Sequence, residues 1–307
     1  MRNIEQQLLS GAFSGFASTV SLQPFDLLKT RLQQGDGLKT ESNTRTLLQT
    51  TKSILRQDGL SGLWRGTAPS LTRNVPGVAL YMSSLTQLRY WMATRLPYFR
   101  AAQQADLSAS GSVLPKLNSQ GNLVAGAVAR VSVGFLLNPL SVLKARYESN
   151  MYGYSSLSGA LSTIVRQGPS ELLRGFMASS LRDAPYAGMF VVFYEGFKRE
   201  AVRLPFAGTG DYSAAINTFS AASAGALATI ATHPFDVIKT KVQVRSEDRY
   251  QGFTRTVVTI FRQRGIAGFF DGASLRMSRK VLSSAIGWSV FESLLRNFMP
   301  KPIAQSL

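Results

Sequence analysis

The sequence has no cysteine and a single histidine, and each scarcity narrows the chemistry. Without thiols there is no disulfide framework, thiolate metal site or cysteine nucleophile, and the redox compartment is unreadable. One imidazole, His233 beside Pro234, cannot build a multi-histidine cluster and reads as local helix geometry. No metal and no cofactor is expected. Acids are scarce too: 17 Asp and Glu stand against 34 Lys and Arg, a net charge of +17. That balance suits an anionic partner, whether nucleic acid, phospholipid headgroups or an anionic solute. Long unbroken apolar runs are few, although 45% of the 307 residues are hydrophobic and the mean hydropathy is +0.02. Composition therefore leaves both a soluble helical protein and a multispan membrane protein open. Met1 to Leu9 has neither an apolar signal core nor an Arg- and Ser-rich presequence, so any address is expected within the folded protein.

What the sequence does have is internal repetition. Pro24-Phe25-Asp26-Leu27-Leu28-Lys29-Thr30-Arg31 matches Pro139-Leu140-Ser141-Val142-Leu143-Lys144-Ala145-Arg146, and both match Pro234-Phe235-Asp236-Val237-Ile238-Lys239-Thr240-Lys241. A second phrase follows each: Asp58-Gly59 through Trp64-Arg65-Gly66, Gln167-Gly168 through Leu173-Arg174-Gly175, and Arg264-Gly265 through Phe270-Asp271-Gly272. A third places Arg73, Arg182 and Arg279 six residues before Ala79, Gly188 and Ala285, and twelve before Leu85, Tyr194 and Phe291. One Pro-x-Asp-x-x-Lys would be weak evidence at a helix end; three copies in one order define a repeat.

Each repeat reads as a long apolar helix through the proline, a short amphipathic helix and a second long helix. The first helices are expected over about 4–33, 120–148 and 214–243, and the second over about 69–90, 179–199 and 275–298. At about 1.5 Å per residue the first three are long enough for a hydrocarbon core of roughly 30 Å. The expected fold is all-α, with six transmembrane helices and a short amphipathic helix in each repeat. The repeats occupy 1–95, 119–204 and 213–300, joined by loops at 96–118 and 205–212. Ionisable residues within such helices are tolerated where they face a bundle interior or a wet cavity. Gly11 with Gly15 and Ala221 with Gly225 stand at the spacing that lets helices pack closely.

At these motifs the sequence resembles the mitochondrial carrier family, whose mark is Pro-x-Asp/Glu-x-x-Lys/Arg-x-Lys/Arg repeated three times, with an aromatic-basic-Gly phrase after it. The resemblance covers nearly the whole chain. Lys144 through Ser149, Tyr154 through Leu157, and Leu181 through Gly188 are similar to the glycine-carrying branch of that family. The resemblance implies a multi-pass transporter of the mitochondrial inner membrane working by alternating access, its six transmembrane helices in a threefold pseudosymmetric bundle with the amphipathic helices on the matrix side. It implies import of glycine or a similar small amino acid, supplying haem biosynthesis; the alternative is another small amino acid or a cofactor as cargo. It further implies a monomer with lipid partners, cardiolipin among them, no nucleic-acid partner, and no enzymatic activity.

Helix kinks at Pro24, Pro139 and Pro234 are expected to bring three helix ends together. By resemblance, Asp26 then pairs with Lys144 and Asp236 with Lys29 in a matrix gate. Lys239 lacks an acid because Ser141 stands in its place. Gln33 and Gln243 brace this layer, whereas Glu148 fills their position in the second repeat. The opposite, cytoplasmic gate takes Tyr194, Glu195 and Lys198, with Arg89 facing Glu195 and Lys198 facing Glu292; Thr86 and Leu295 replace the remaining pair. Each pair gains about 4 kcal/mol at an effective dielectric near 20, before desolvation. One missing pair at each end suggests an empty form that resets easily and net import without obligatory exchange.

Arg73, Arg182 and Arg279 fall at equivalent depth, where the family places substrate contacts. Asp183 beside Arg182 supplies the second half of a zwitterion receptor, since charge-assisted hydrogen bonds favour both ends of an amino acid. Arg130 replaces Gly15 and Gly225 in its repeat, and either lines the path or pairs with Asp183 as structure. A nucleic-acid-binding protein would need a basic surface with exposed aromatics or a known module, and none is evident. Nor is there a phosphate loop, nucleophile elbow or metal-ligand spacing.

Overall fold

The computed structural model describes residues 2–35, 43–99, 117–149, 151–154, 156–202, 213–283 and 286, and among them there is no β-strand. The helices are α1 (Arg2–Gln33), α2 (Asn43–Gln57), α3 (Thr67–Arg95), α4 (Ser119–Leu136), α5 (Asn138–Glu148), α6 (Leu157–Arg166), α7 (Pro169–Leu172), α8 (Phe176–Val202), α9 (Ser213–Ala231), α10 (His233–Val244) and α11 (Phe253–Arg264). A twelfth, α12, covers 273–283. The expected loop 205–212 and most of 96–118 lie outside the described residues; within the latter, Pro97–Phe99 forms a 3₁₀ turn.

The long helices follow one another around a ring. α1 touches α3, α3 touches α4, α4 touches α8, and α8 lies along α9. Ser18 and Ser283, whose hydroxyls are 3.0 Å apart, join α1 to α12 and close the circle.

The three prolines do not act alike. α1 runs unbroken through Pro24. α4 ends at Leu136 and α5 restarts with Pro139 in its first turn, the two axes bent by 65°. α9 and α10 are separated likewise, with Pro234 in the first turn of α10. A proline removes one backbone donor, which a first turn leaves unused in any case, so restarting the helix there avoids the loss.

α2, α6 and α11 lie between the long helices, each with one buried stripe: Ile54, then Ala160 and Ile164, then Thr256 and Ile260. Ser156 caps α6 by accepting from Gly159 N at 3.1 Å, and Asn118 caps α4 from Gly121 N at 2.7 Å. Each second long helix begins after a glycine with positive φ: Gly66 at 91°, Gly175 at 73° and Gly272 at 75°. A Cβ at Gly66 would sit 2.8 Å from Glu148 Cγ, and one at Gly175 2.8 Å from Gln243 Cγ. Backbone conformation and a neighbouring repeat's side chain both demand glycine there.

No single described helix is long and apolar enough to cross a membrane; the bent pair 120–136 with 138–148 passes that test jointly. The interruptions are charges such as Asp26, Lys29, Arg73 and Arg182, and their placement decides what the ring can do.

Candidate functional site

The residues around each proline meet those of the next repeat in a layer at one end of the ring. Lys29 forms an ion pair with Asp236, and Lys144 donates to Asp26 Oδ2 at 2.7 Å. At the third junction Lys239 donates to Ser141 Oγ at 3.2 Å. The direction is constant: the lysine five residues after a proline reaches position two after the preceding repeat's proline.

A second layer lies at the backbone just before Gly66, Gly175 and Gly272. The residue preceding each proline is buried and reaches a carbonyl there. Gln23 Nε2 donates to Arg65 O at 3.1 Å, and Asn138 Nδ2 donates to Leu172 O at 2.7 Å and Arg174 O at 3.2 Å. His233 Nε2 stands 3.0 Å from Asp271 O. A carbonyl only accepts, so that nitrogen carries the proton. The position nine after each proline approaches the same places from the neighbouring repeat. Gln33 Nε2 donates to Asp271 O at 3.3 Å and Asp236 Oδ2 at 3.4 Å, and Gln243 Nε2 donates to Arg174 O at 3.3 Å. Gln243 thus holds backbone and forms no hydrogen bond with Lys239 or Ser141. Glu148 cannot donate. Instead it accepts from Gln23 Nε2 at 3.1 Å and Thr30 Oγ1 at 2.8 Å, with Lys144 Nζ 3.6 Å away.

A third layer covers the helix ends. Arg31 Nε donates to Glu148 O at 2.9 Å, Arg146 Nε to Gln243 O at 3.2 Å, and Lys241 Nζ to Gly35 O. Each cation, seven residues after its proline, neutralises unsatisfied carbonyls at a neighbouring helix C-terminus. Arg146 also meets Glu171, which Arg174 binds at 2.8 Å. Partial burial pushes the Glu171 carboxyl up, but Arg174 and Arg146 outweigh it and hold it below its usual range.

Toward the ring's interior, Arg182 Nε and Nη2 grip both oxygens of Asp183 at 2.7 and 3.0 Å, while its Nη1 donates to Asp236 Oδ1 at 2.7 Å. Arg279 forms an ion pair with Asp26. Both arginines are therefore tied to the proline-end layer through its acids. Arg73 donates to Asn74 Oδ1 at 3.4 Å, its Nε buried without a partner among the described residues, and senses the charges of Arg182, Asp183, Asp26 and Arg130. Arg130 does not pair with Asp183; its guanidinium lies 4.1 Å from the Tyr81 ring centroid.

At the opposite end Arg89 and Glu195 form no ion pair, and Arg89 Nε is buried without a partner among the described residues. Tyr194 stacks on Phe190, and Phe190 on Tyr186, at 6.1 and 6.4 Å. Lys198 Nζ lies 6.0 Å from the Tyr194 ring centroid. Glu292 lies outside the described residues.

Other participants carried no motif. Arg276 donates to Thr229 O and Thr232 Oγ1, each at 3.3 Å, and stands 3.9 Å from Asp236. Lys280 contacts Tyr186 and donates to Thr229 Oγ1 at 3.2 Å. Their signal was departure from the repeat: Arg276 stands where the other repeats have Ser70 and Ser179.

Against known proteins, residues 2–96, 115–203 and 210–302 match the family described as "Mitochondrial carrier protein". The "Mitochondrial glycine transporter" of Laccaria bicolor is 66% identical, over 95% of this chain and 97% of that one. Proteins of the same name from Coccidioides immitis and Mycosarcoma maydis are 44% and 41% identical, over 93% of this chain and 88% and 82% of theirs.

Proposed function

This chain belongs to the mitochondrial carrier protein family, and we propose that it imports glycine across the mitochondrial inner membrane into the matrix by alternating access. The observation that carries the mechanism is the junction at Asp236. One carboxylate accepts from Lys29 on one side and from Arg182 on the other. The interior pair and the closed end of the ring thus share an atom group.

In this reading the six long helices, α1, α3, α4 with α5, α8, α9 with α10, and the one that begins with α12, span the membrane. Their charges face the interior, which is why no described helix need be uniformly apolar. The proline-end layer is a matrix gate, with Asp26, Lys29, Gln33, Lys144, Asp236, Lys239 and Gln243 as its members. The other end, with Arg89, Tyr194, Glu195, Lys198 and Glu292, is the cytoplasmic gate. Arg73, Arg130, Arg182, Asp183 and Arg279 form the binding site.

Glycine is a carboxylate and an ammonium joined by one carbon, and the Arg182–Asp183 pair offers the complementary charges. As the ammonium donates to Asp183 and the carboxylate accepts from Arg182, the guanidinium is drawn off Asp236. The Lys29–Asp236 contact then loses a partner, which lowers the cost of parting the helix ends. Discrimination against alanine would be steric, worth about 1–3 kcal/mol for one methyl-sized group. The monomer is the transporting unit, lipid is its surrounding partner, and the imported glycine serves haem synthesis. With a hydroxyl at Ser141 in place of an acid, the empty carrier resets readily and net import needs no counter-substrate.

Uptake of radiolabelled glycine, other amino acids and nucleotides by the reconstituted protein tests this. Glycine is expected to enter liposomes that hold no internal substrate. Uptake only after preloading would remove the net-import reading, and preference for another solute would remove glycine. Arg182→Ala and Asp183→Ala are expected to abolish uptake while the protein stays folded in detergent; uptake at the unsubstituted rate would refute the site.

A further inference from the structure

The cations near the closed end outnumber the acids available to them. Asp26 is shared by Lys144 and Arg279. Asp236 is shared by Lys29 and Arg182, with Arg276 at 3.9 Å. Glu148 is occupied by Thr30, Gln23 and Lys144. Asp183 is held by Arg182 through Nε and Nη2. Lys239 is left with one polar contact among the described residues, the Ser141 hydroxyl at 3.2 Å.

That position is unusual for an ammonium. Lys239 is only 8% exposed, and it can donate three hydrogen bonds but makes one. Isolated buried charge is costly and is ordinarily paired. It stands three residues after Asp236 on α10, one helical turn from the carboxylate that Arg182 grips at 2.7 Å, which places it beside the zwitterion receptor.

We propose that Lys239 with Ser141 is a carboxylate-binding subsite at the closed end of the path, completed by the cargo itself. The transported amino acid places its ammonium on Asp183 and divides its two carboxylate oxygens between Arg182 and Lys239. The cargo supplies, transiently, the acid that Ser141 does not provide. Two consequences follow. A solute without a carboxylate leaves Lys239 unmatched and is bound weakly. Loading also draws Lys239 away from Ser141 and Arg182 away from Asp236, so two of the three junctions loosen in one event.

This inference rests on the reading of the protein as an amino-acid carrier, and the experiment separates the two. The half-saturating glycine concentration is measured for uptake by the full chain in liposomes, unsubstituted and with Ser141→Asp or Lys239→Gln. An acid at 141 would occupy Lys239 from within, so half-saturation should rise roughly tenfold or more, the scale of one charge-assisted hydrogen bond. A merely stronger gate acts with the opposite sign. It favours the state open to the outside, slowing maximal uptake while leaving half-saturation unchanged or lower; that result overturns the subsite. Should Ser141→Asp fail to reconstitute, acetate competition decides. Acetate should compete with glycine in the unsubstituted protein and lose most of that effect in Lys239→Gln, whereas equal inhibition in both rejects the proposal. If the protein carries another carboxylate-bearing solute instead, the glycine reading falls, and the Ser141→Asp comparison made with that solute still decides this one. Transport only of solutes lacking a carboxylate defeats both.

Discussion

The two ends of the ring are built from similar residue types and behave differently. At the proline end, Lys29, Lys144 and Lys239 each reach the neighbouring repeat, and Arg31, Arg146 and Lys241 cover backbone carbonyls there. At the far end Arg89 and Glu195 remain apart, and Lys198 lies over Tyr194. The described cations at the two ends therefore have different surroundings. The proline end adds buried amides and conformationally permissive glycines, so its ion pairs sit in a frame already held by backbone contacts.

The largest effect expected from breaking this contrast is at Asp236, which meets Lys29, Arg182 and Gln33. Asp236→Asn should cost about 3–5 kcal/mol by leaving buried cations uncompensated, read as the unfolding midpoint in detergent. A smaller loss is expected at Glu148, where Gln cannot accept from Gln23, Thr30 and Lys144 together. Glu148→Gln should cost about 1–2 kcal/mol. Adding Gln23→Asn, which recreates the combination of Asn138 with Gln243, should recover part of it, and strict additivity would contradict the shared contact. His233→Ala should cost about 1 kcal/mol through the lost bond to Asp271 O, and His233→Asn less, because Asn138 fills that role in the second repeat. The smallest effect is expected at the far end: Arg89→Ala and Glu195→Gln should shift stability by no more than about 0.5 kcal/mol. Under the proposed cycle both should still slow uptake, since their pairing belongs to the other state. A stability loss as large as at Asp236 would erase the distinction between the ends.

The sequence carried this architecture unevenly. Helical class and the repeat were legible because proline, glycine and lysine recur at fixed offsets, and partners such as Asp26 and Lys144 occupy matched offsets in successive repeats. The pre-proline layer was hidden, since Gln23, Asn138 and His233 share a geometry but no side-chain type. His233 read as a bystander and is a latch. The different courses of the chain at Pro24, Pro139 and Pro234 were equally illegible, because whether a helix bends or restarts depends on packing across the ring. Arg130 pointed to a polar setting and found an aromatic face, Tyr81, whose distance in sequence gave no hint of contact. Arg276 was overlooked because it matches no motif, although it departs from the serines at its equivalent positions.

The covering of each helix end by a cation from next door has a further meaning for assembly. No third of the chain can satisfy its own terminal carbonyls: the first needs Lys241, the second Arg31 and the last Arg146. A fragment holding one or two thirds would leave at least one of these acceptors to water. Closing the circle satisfies all three acceptors together, so each third of the chain contributes a cap that another third uses.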